Sequence, residues 1–263
     1  MTGTGEGVEL RSTLHKRHDI LSALVSEPRT KPELVDALDA SRSTVDRAIR
    51  SLENVGCIER QNSVYQPTQV GHIAFSEYDR YAKTMDGIAR ASDVLNAARP
   101  EARIDPAFLN GVTVQTADPH APESALEDSI EVLKTADRLI GLAPVVLSLY
   151  TETLTTLVTE HNLDVELVLY EDTLDSLLRY YQDEISKSNL LSHINFHVTD
   201  QDLPYALWIM DHEEHPQAGI TIHENGGVRG VLMNDSPEAL QWAHDTYDQY
   251  LETARSIAPK LNS

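Results

Sequence analysis

Between Leu10 and Val25 the apolar residues Leu10, Leu14, Ile20, Leu21, Leu24 and Val25 fall near helical spacing, which predicts a first helix ending before Pro28. Thr30 then caps a second, short helix. Pro32 takes a tolerated first-turn position, Glu33 stands three residues after Thr30 as in a capping box, and Leu34, Val35 and Leu38 form the buried stripe. Ser41 caps a third helix, with Thr44, Val45, Ala48, Ile49 and Leu52 on or beside its inward face and Gly56 at its end. Two strand-like pieces, Cys57 to Arg60 and Val64 to Pro67, flank Gln61-Asn62-Ser63 and predict a small hairpin. Thr68 to about Ala98 reads as one long amphipathic helix or two, and Arg99 to Pro106, broken twice by proline, marks a domain boundary.

Beyond that boundary the pattern alternates. Strands are predicted at Val112 to Thr116, Arg138 to Leu142, Asp164 to Tyr170 and His193 to Val198, with helices at Pro122 to Lys134, Pro144 to His161 and Leu174 to Lys187 between them. Such alternation favours a mainly parallel sheet covered by helices. The rhythm then changes to consecutive strands, Tyr205 to Met210, Gly219 to Ile222 and Val228 to Met233, the last two joined through Glu224-Asn-Gly-Gly227, so an antiparallel edge is expected. A final helix from Ser236, with Pro237 in its first turn, turns Leu240, Trp242, Ala243, Tyr247, Tyr250 and Leu251 toward the sheet. The whole is an α/β chain with three parts: an all-α unit with a hairpin over 1–67, a helical connector suited to dimerisation over 68–105, and an α/β domain with a mixed sheet over 106–263.

Helix, short helix, tight turn, helix and hairpin within about 60 residues is the order of a winged helix-turn-helix. On its third helix, burying Val45, Ala48 or Ile49, and Leu52 leaves Arg42, Ser43, Asp46, Arg47 and Arg50 outward, with Thr44 beside them. Arg can bond two ways to guanine edges, Ser and Thr can meet bases or phosphates, and Asp can accept from a cytosine amino group. Phosphate contacts are expected from Arg11, His15, Lys16, Arg17 and His18 on the first helix, from Arg29 and Lys31 before the second, and from Arg60, Gln61, Asn62 and Ser63 at the wing. Double-stranded DNA is the partner these side chains suit. A winged fold that engages a protein instead stays open.

Charge changes this picture in one respect. The chain of 263 residues carries 21 Lys plus Arg against 42 Asp plus Glu, a formal net charge of −21, yet residues 1–75 hold 9 basic and 10 acidic side chains, so nearly all the excess lies downstream. Six of the cations are Lys and 15 are Arg, with acidic residues dispersed, a pattern expected of proteins adapted to high salt. A near-neutral DNA-binding unit in such a cell draws little from counterion release, so groove shape, base contacts and bridging cations have to supply more of the affinity. No apolar run approaches the ~18 to 20 residues that span a bilayer, and the N-terminus lacks a signal-peptide pattern, so a cytoplasmic location without membrane contact is expected.

Catalytic motifs are missing from the sequence. It has no Gly-x-Ser-x-Gly elbow and no Gly-x4-Gly-Lys-Ser/Thr loop, and Gly3-Thr-Gly5-Glu-Gly7 lacks dinucleotide spacing. Asp211-His-Glu-Glu-His215 puts Pro216 where a helical zinc motif needs its second His, so a polar loop is expected there. Glu171 and Asp172 suit helix capping better than acid/base work, and His197 reads as a satisfied sheet histidine. Cys57, the single cysteine, excludes an intramolecular disulfide and a four-cysteine zinc site; it reads as a small buried hydrophobe, with a redox-sensing thiol as the alternative. No catalytic residue, metal or cofactor is expected.

The join Leu38-Asp-Ala-Ser41-Arg-Ser-Thr-Val45, followed by Leu52-Glu-Asn-Val-Gly56-Cys-Ile-Glu-Arg60, resembles archaeal and bacterial winged-helix regulators. Thr135 to Pro144, Leu203 to Asp211, Gly230 to Asn234 and Ala239 to Ala243 with Tyr247 and Tyr250 resemble the middle domain of methanogenesis regulators. Together the chain is similar to haloarchaeal transcriptional regulators of that build. The resemblance implies a phospholipase-D-like sandwich for the C-terminal domain. This sequence lacks the His-x-Lys-x4-Asp string of the catalytic members, which implies an effector or dimerisation domain without hydrolytic chemistry. A homodimeric regulator of transcription follows as the expectation, with a winged-helix-tethered phosphodiesterase as the rival. Any small-molecule effector is expected at the loops after the parallel strands, near Ala143 to Pro144, Glu171 to Thr173 and Thr199 to Asp202, where an acidic rim would favour cations or neutral polar molecules.

Overall fold

The computed structural model describes residues 4–118, 120–180, 194–212, 215–224 and 226–257. Two compact units divide the chain at Lys83 and Thr84, inside the segment expected to be a connector.

In the first unit, helices α1 (Thr4–Ser26), α2 (Lys31–Leu38) and α3 (Arg42–Asn54) precede the strands β1 (Ile58–Gln61) and β2 (Val64–Pro67), and α4 (Gln69–Arg90) begins. The first helix is longer than its apolar stripe suggested and is kinked at Arg17, whose φ of −127° is not helical. Glu33 reaches back to accept from the Thr30 backbone N–H at 2.7 Å and its hydroxyl at 2.8 Å, which starts α2 where the sequence placed it. Ser41 Oγ accepts from the Thr44 N–H at 3.2 Å and starts α3. Leu14, Leu21, Leu24, Leu34, Ile49 and Leu52 are the centre of the core, where each is at most 4% exposed. Ala74, Phe75 and Tyr78 of α4 pack on that core. The hairpin closes with Gln61 opposite Val64, and Asn62 takes the left-handed φ of 59° that the tight turn requires. Arg29 exchanges two backbone hydrogen bonds with Tyr65, at 3.0 and 2.8 Å, so the link between α1 and α2 joins the hairpin as a short third edge.

The second unit contains α5 (Ser92–Ala97), α6 (Pro106–Leu109), β3 (Thr113–Thr116), a 3-10 turn (Pro122–Leu126), α7 (Glu127–Lys134), β4 (Arg138–Ala143), α8 (Ser148–Glu160), β5 (Asp164–Leu169) and α9 (Glu171–Tyr180). After these come β6 (Ile194–Val198), β7 (Ala206–Asp211), β8 (Gln217–Glu224), β9 (Gly227–Asn234), α10 (Pro237–Leu251) and β10 (Arg255–Ile257). The end of the expected helix Leu174 to Lys187 and the first residue of the strand expected from His193 lie outside the described residues.

The eight strands run in the order β10-β6-β5-β4-β7-β8-β9-β3. The sheet is mixed, as expected, but parallel pairing is confined to β4, β5 and β6, so antiparallel neighbours outnumber parallel ones instead of forming an edge to a mainly parallel sheet. The reason is one reversal: after β6 the chain returns to lay β7 antiparallel against β4, in mid-sheet rather than at an edge. Both faces are covered. Leu139, Val165, Phe196 and Trp208 face a core with α7, α8 and α9, while Ile140, Val168, Leu207 and Ile209 face a core with α10, which is why the central strands read as continuous apolar runs.

Candidate nucleic-acid interface

Burial of Val45, Ala48, Ile49 and Leu52 fixes the rotation of α3 and leaves Arg42, Ser43, Arg47 and Arg50 exposed. Arg47 Nε donates to the Ser43 carbonyl at 3.2 Å and Arg50 Nε donates to the Asp46 carbonyl at 3.2 Å. Both guanidinium stems are thereby held along the helix while their terminal nitrogens remain the donors suited to a bidentate contact. Thr44 is half-buried, with its hydroxyl 2.9 Å from Ser41 Oγ, and Ser43 Oγ lies 3.0 Å from the same atom. Thr44 therefore works in the helix start rather than on the open face.

Asp46 and Lys31 are bound to each other. Lys31 Nζ lies 2.6 Å from Asp46 Oδ1, tying α2 to α3; the hydrogen bond holds the carboxyl below its usual range and raises the ammonium above its own. Lys31 Nζ and Arg60 Cζ each lie 5.8 Å from the centroid of the Tyr65 ring, so this aromatic residue, which sequence reasoning passed over, links the turn to the wing. At the wing, Arg60, Gln61, Asn62 and Ser63 are exposed, and Arg60 Nε donates to the Asn62 carbonyl at 2.8 Å.

The flanking cations divide. Lys16 and Arg11 are exposed. Arg29 pairs with Glu27 at 2.7 Å and donates to the Ala23 carbonyl at 3.3 Å, which commits it to the end of α1. Arg17 is half-buried at the kink, and its Nε is buried without a hydrogen-bond partner. His15 and His18 turn to α4: His15 Nδ1 lies 2.9 Å from the Tyr78 hydroxyl, and His18 stacks on Phe75 with Nε2 3.4 Å from Asp79. Of the α1 side chains expected to meet phosphates, Arg11 and Lys16 are exposed and turned to no partner named above, whereas both histidines engage residues of α4.

The other candidates are quickly placed. Cys57 is fully buried, and burial pushes its thiol up in pKa, away from the reactive thiolate. His197 Nε2 lies 3.0 Å from Glu166 Oε1, and Arg138 Nη2 lies 3.1 Å from Glu166 Oε2, a chain of partners across β4, β5 and β6. Glu171 lies in the first turn of α9, 3.6 Å from Arg255, and Asp172 follows it in that turn. Part of Asp211 to His215 lies outside the described residues; among the described residues no group of three His, Cys, Asp or Glu could hold a metal ion. No helix among the described residues is long and apolar enough to cross a membrane.

Comparison with known proteins adds the following. Residues 122–253 match the family described as methanogenesis regulatory protein FilR1, middle domain, and residues 5–90 match the HVO_A0261 N-terminal domain. No curated protein matches the chain. Among solved structures, similarity extends to TrmBL2, an archaeal chromatin protein described as showing a novel mode of DNA binding, at 14% identity and a TM-score of 0.40 over 90% of this chain and 91% of that one. The phospholipase D family member Nuc from Salmonella typhimurium is similar at 14% identity and a TM-score of 0.40, over 56% of this chain and 98% of its own. NucT from Helicobacter pylori is similar at 12% identity with the same coverage and score.

Proposed function

The chain belongs to the family of the methanogenesis regulatory protein FilR1 middle domain, and from that membership we propose that it is a transcriptional regulator that binds duplex DNA through α3 and the wing. The observation that carries the reading is the exposed set Arg42, Ser43, Arg47 and Arg50 on one face of a helix whose opposite face is buried, with the exposed wing tip in the same unit. In this reading Arg42 and Arg47 read base edges in the major groove, and Arg11, Lys16 and Arg60 hold phosphates.

The protein acts as a homodimer. Support comes from α4, where Val70, Ile73 and Tyr81 recur at helical spacing and are 52%, 56% and 58% exposed, an apolar stripe of the sort that pairs with a second copy. The C-terminal domain acts by binding rather than by catalysis; both of its candidate acid/base groups, Glu171 and Asp172, stand in the first turn of α9, where carboxylates suit the helix start, and Glu171 lies beside Arg255. It senses a small molecule.

The test is the double substitution Arg42→Ala and Arg47→Ala. Specific DNA affinity is expected to fall by at least about 30-fold, because each bidentate base contact carries about 1–3 kcal/mol, while the circular dichroism spectrum stays that of the native chain. Unchanged DNA binding would instead favour a winged fold that engages a protein partner.

A further inference from the structure

One cavity in the second unit is built unlike the rest of its core. It lies among β4, β5, β7 and β8 and the helices α8 and α9, has a volume of about 130 Å³, and is lined by apolar side chains including Leu139, Leu154, Leu167 and Leu177. Val145, 43% exposed, is among its lining residues, so the cavity reaches the surface. Two of the loops expected to hold an effector contribute through Ala143 and Thr173, whereas Thr199 to Asp202 do not.

Its polar atoms are few, and most are already used. The Tyr150 hydroxyl lies 2.6 Å from Ser129 Oγ, Thr173 Oγ1 donates to the Pro144 carbonyl at 2.9 Å, and Thr151 Oγ1 donates to the Leu147 carbonyl at 3.1 Å. Among the described residues, two polar atoms of this lining are buried without a hydrogen-bond partner. Trp208, 6% exposed, has a buried Nε1–H without an acceptor, and His223 has a buried Nε2 without a partner. Buried polar atoms left in this way are uncommon in folded proteins and call for an explanation. Gly219, the register partner of Trp208 on β8, leaves the space that the indole fills, since a side-chain carbon there would come within 2.0 Å of it. His223 stands at a register shift between β8 and β9, a local irregularity that re-aims a side chain.

From these observations we propose that the C-terminal unit binds an uncharged, largely apolar molecule about the size of one aromatic ring, bearing one hydroxyl or carbonyl group that pairs with Trp208 Nε1–H and His223 Nε2. The size follows from the volume, which is close to that of an engineered cavity of about 150 Å³ that takes up benzene. The absence of charge follows from the lining, which contains no Asp, Glu, Lys or Arg, so an ionised ligand would be buried without a counter-charge. Burial also lowers the His223 pKa and keeps its ring neutral; a neutral imidazole nitrogen accepts or donates according to its tautomer. The lining differs from the acidic rim expected at the loops, which would favour cations or neutral polar molecules. What binding does to regulation rests on the function proposed above; the binding itself does not.

The test uses the full-length chain labelled with nitrogen-15. Its two tryptophans, Trp208 and Trp242, give two indole N–H signals, assigned with the Trp242→Phe protein. Titration with benzyl alcohol is expected to shift the Trp208 signal saturably and leave that of Trp242 in place. Benzoate is expected to bind at least tenfold more weakly, and Leu154→Trp, which fills the cavity, to abolish the response. A Trp208 signal unmoved up to the solubility limit of benzyl alcohol overturns the site. Benzoate binding as tightly as benzyl alcohol overturns the ligand class, and a response retained in a folded Leu154→Trp protein places binding elsewhere. Should that variant fail to fold, the titration of the unsubstituted chain decides alone. A silent titration leaves the DNA reading standing, and loss of that reading leaves the titration standing.

Discussion

Lys31 and Asp46 each have the chemistry for nucleic acid, yet they spend it on one another across 2.6 Å. Fifteen residues separate them, and no local pattern announces the pair; the same holds for His15 and His18, which face aromatic residues more than 50 positions away. Arg42, Arg47 and Arg50 were legible because helical periodicity alone fixes which residues of α3 are left outward. Two predictions belong to single residues. Cys57 is expected to stay unreactive toward a thiol reagent in the native chain and to react once the chain is unfolded; prompt reaction in the native state would restore the redox alternative. His223 has a folded pKa below that of the unfolded chain because burial disfavours its charged form. Its contribution to stability is therefore complete above the unfolded imidazole pKa and is lost as pH falls below that value toward the folded one. His223→Gln is expected to flatten the decline in melting temperature as pH falls below the ordinary imidazole pKa of about 6.5, and an unaltered decline would show that the ring is not buried neutral.

Elements were most readable where the signals are local. Thr30 with Glu33, and Ser41 ahead of Thr44, mark the starts of α2 and α3 by short-range hydrogen bonds, and the turn at Asn62 marks the hairpin. The position of β7 was not readable, because a return from β6 to the side of β4 depends on which faces the helices cover and not on any residue of β7. The strand β10 was missed for a different reason: Arg255–Ile257 is short and mostly exposed, so it carries no alternation. The start of α4 depends on close approach: a carbon added at Gly71 would lie 1.9 Å from the Cys57 carbonyl oxygen. Thr68 binds the same region, its hydroxyl donating to the Gly56 carbonyl at 2.6 Å. Gly71→Ala is expected to destabilise the first unit by about 1–3 kcal/mol through overpacking, read as a lower melting temperature or denaturant midpoint. A midpoint equal to that of the unsubstituted chain would mean that α4 does not pack against the wing.

At the scale of the molecule the charges are partitioned. Met1–Lys83 carries 11 basic and 12 acidic side chains, and Thr84–Ser263 carries 10 and 30. If the first unit binds DNA as proposed, its lack of positive excess means that few counterions are released, so a plot of log affinity against log salt is expected to have a slope, per protomer bound, no steeper than about −4, the value for four or five neutralised phosphates. A slope near −10 per protomer would mean that many more phosphates are neutralised than Arg11, Lys16, Arg60 and the arginines of α3 can reach. The most direct test of DNA recognition by α3 is a footprint, under the host's own ionic conditions, on a fragment recovered by genome-wide occupancy of the tagged protein. The native chain is expected to protect a discrete site that the folded Arg42→Ala/Arg47→Ala chain leaves open; equal protection by both, or by neither, would contradict it.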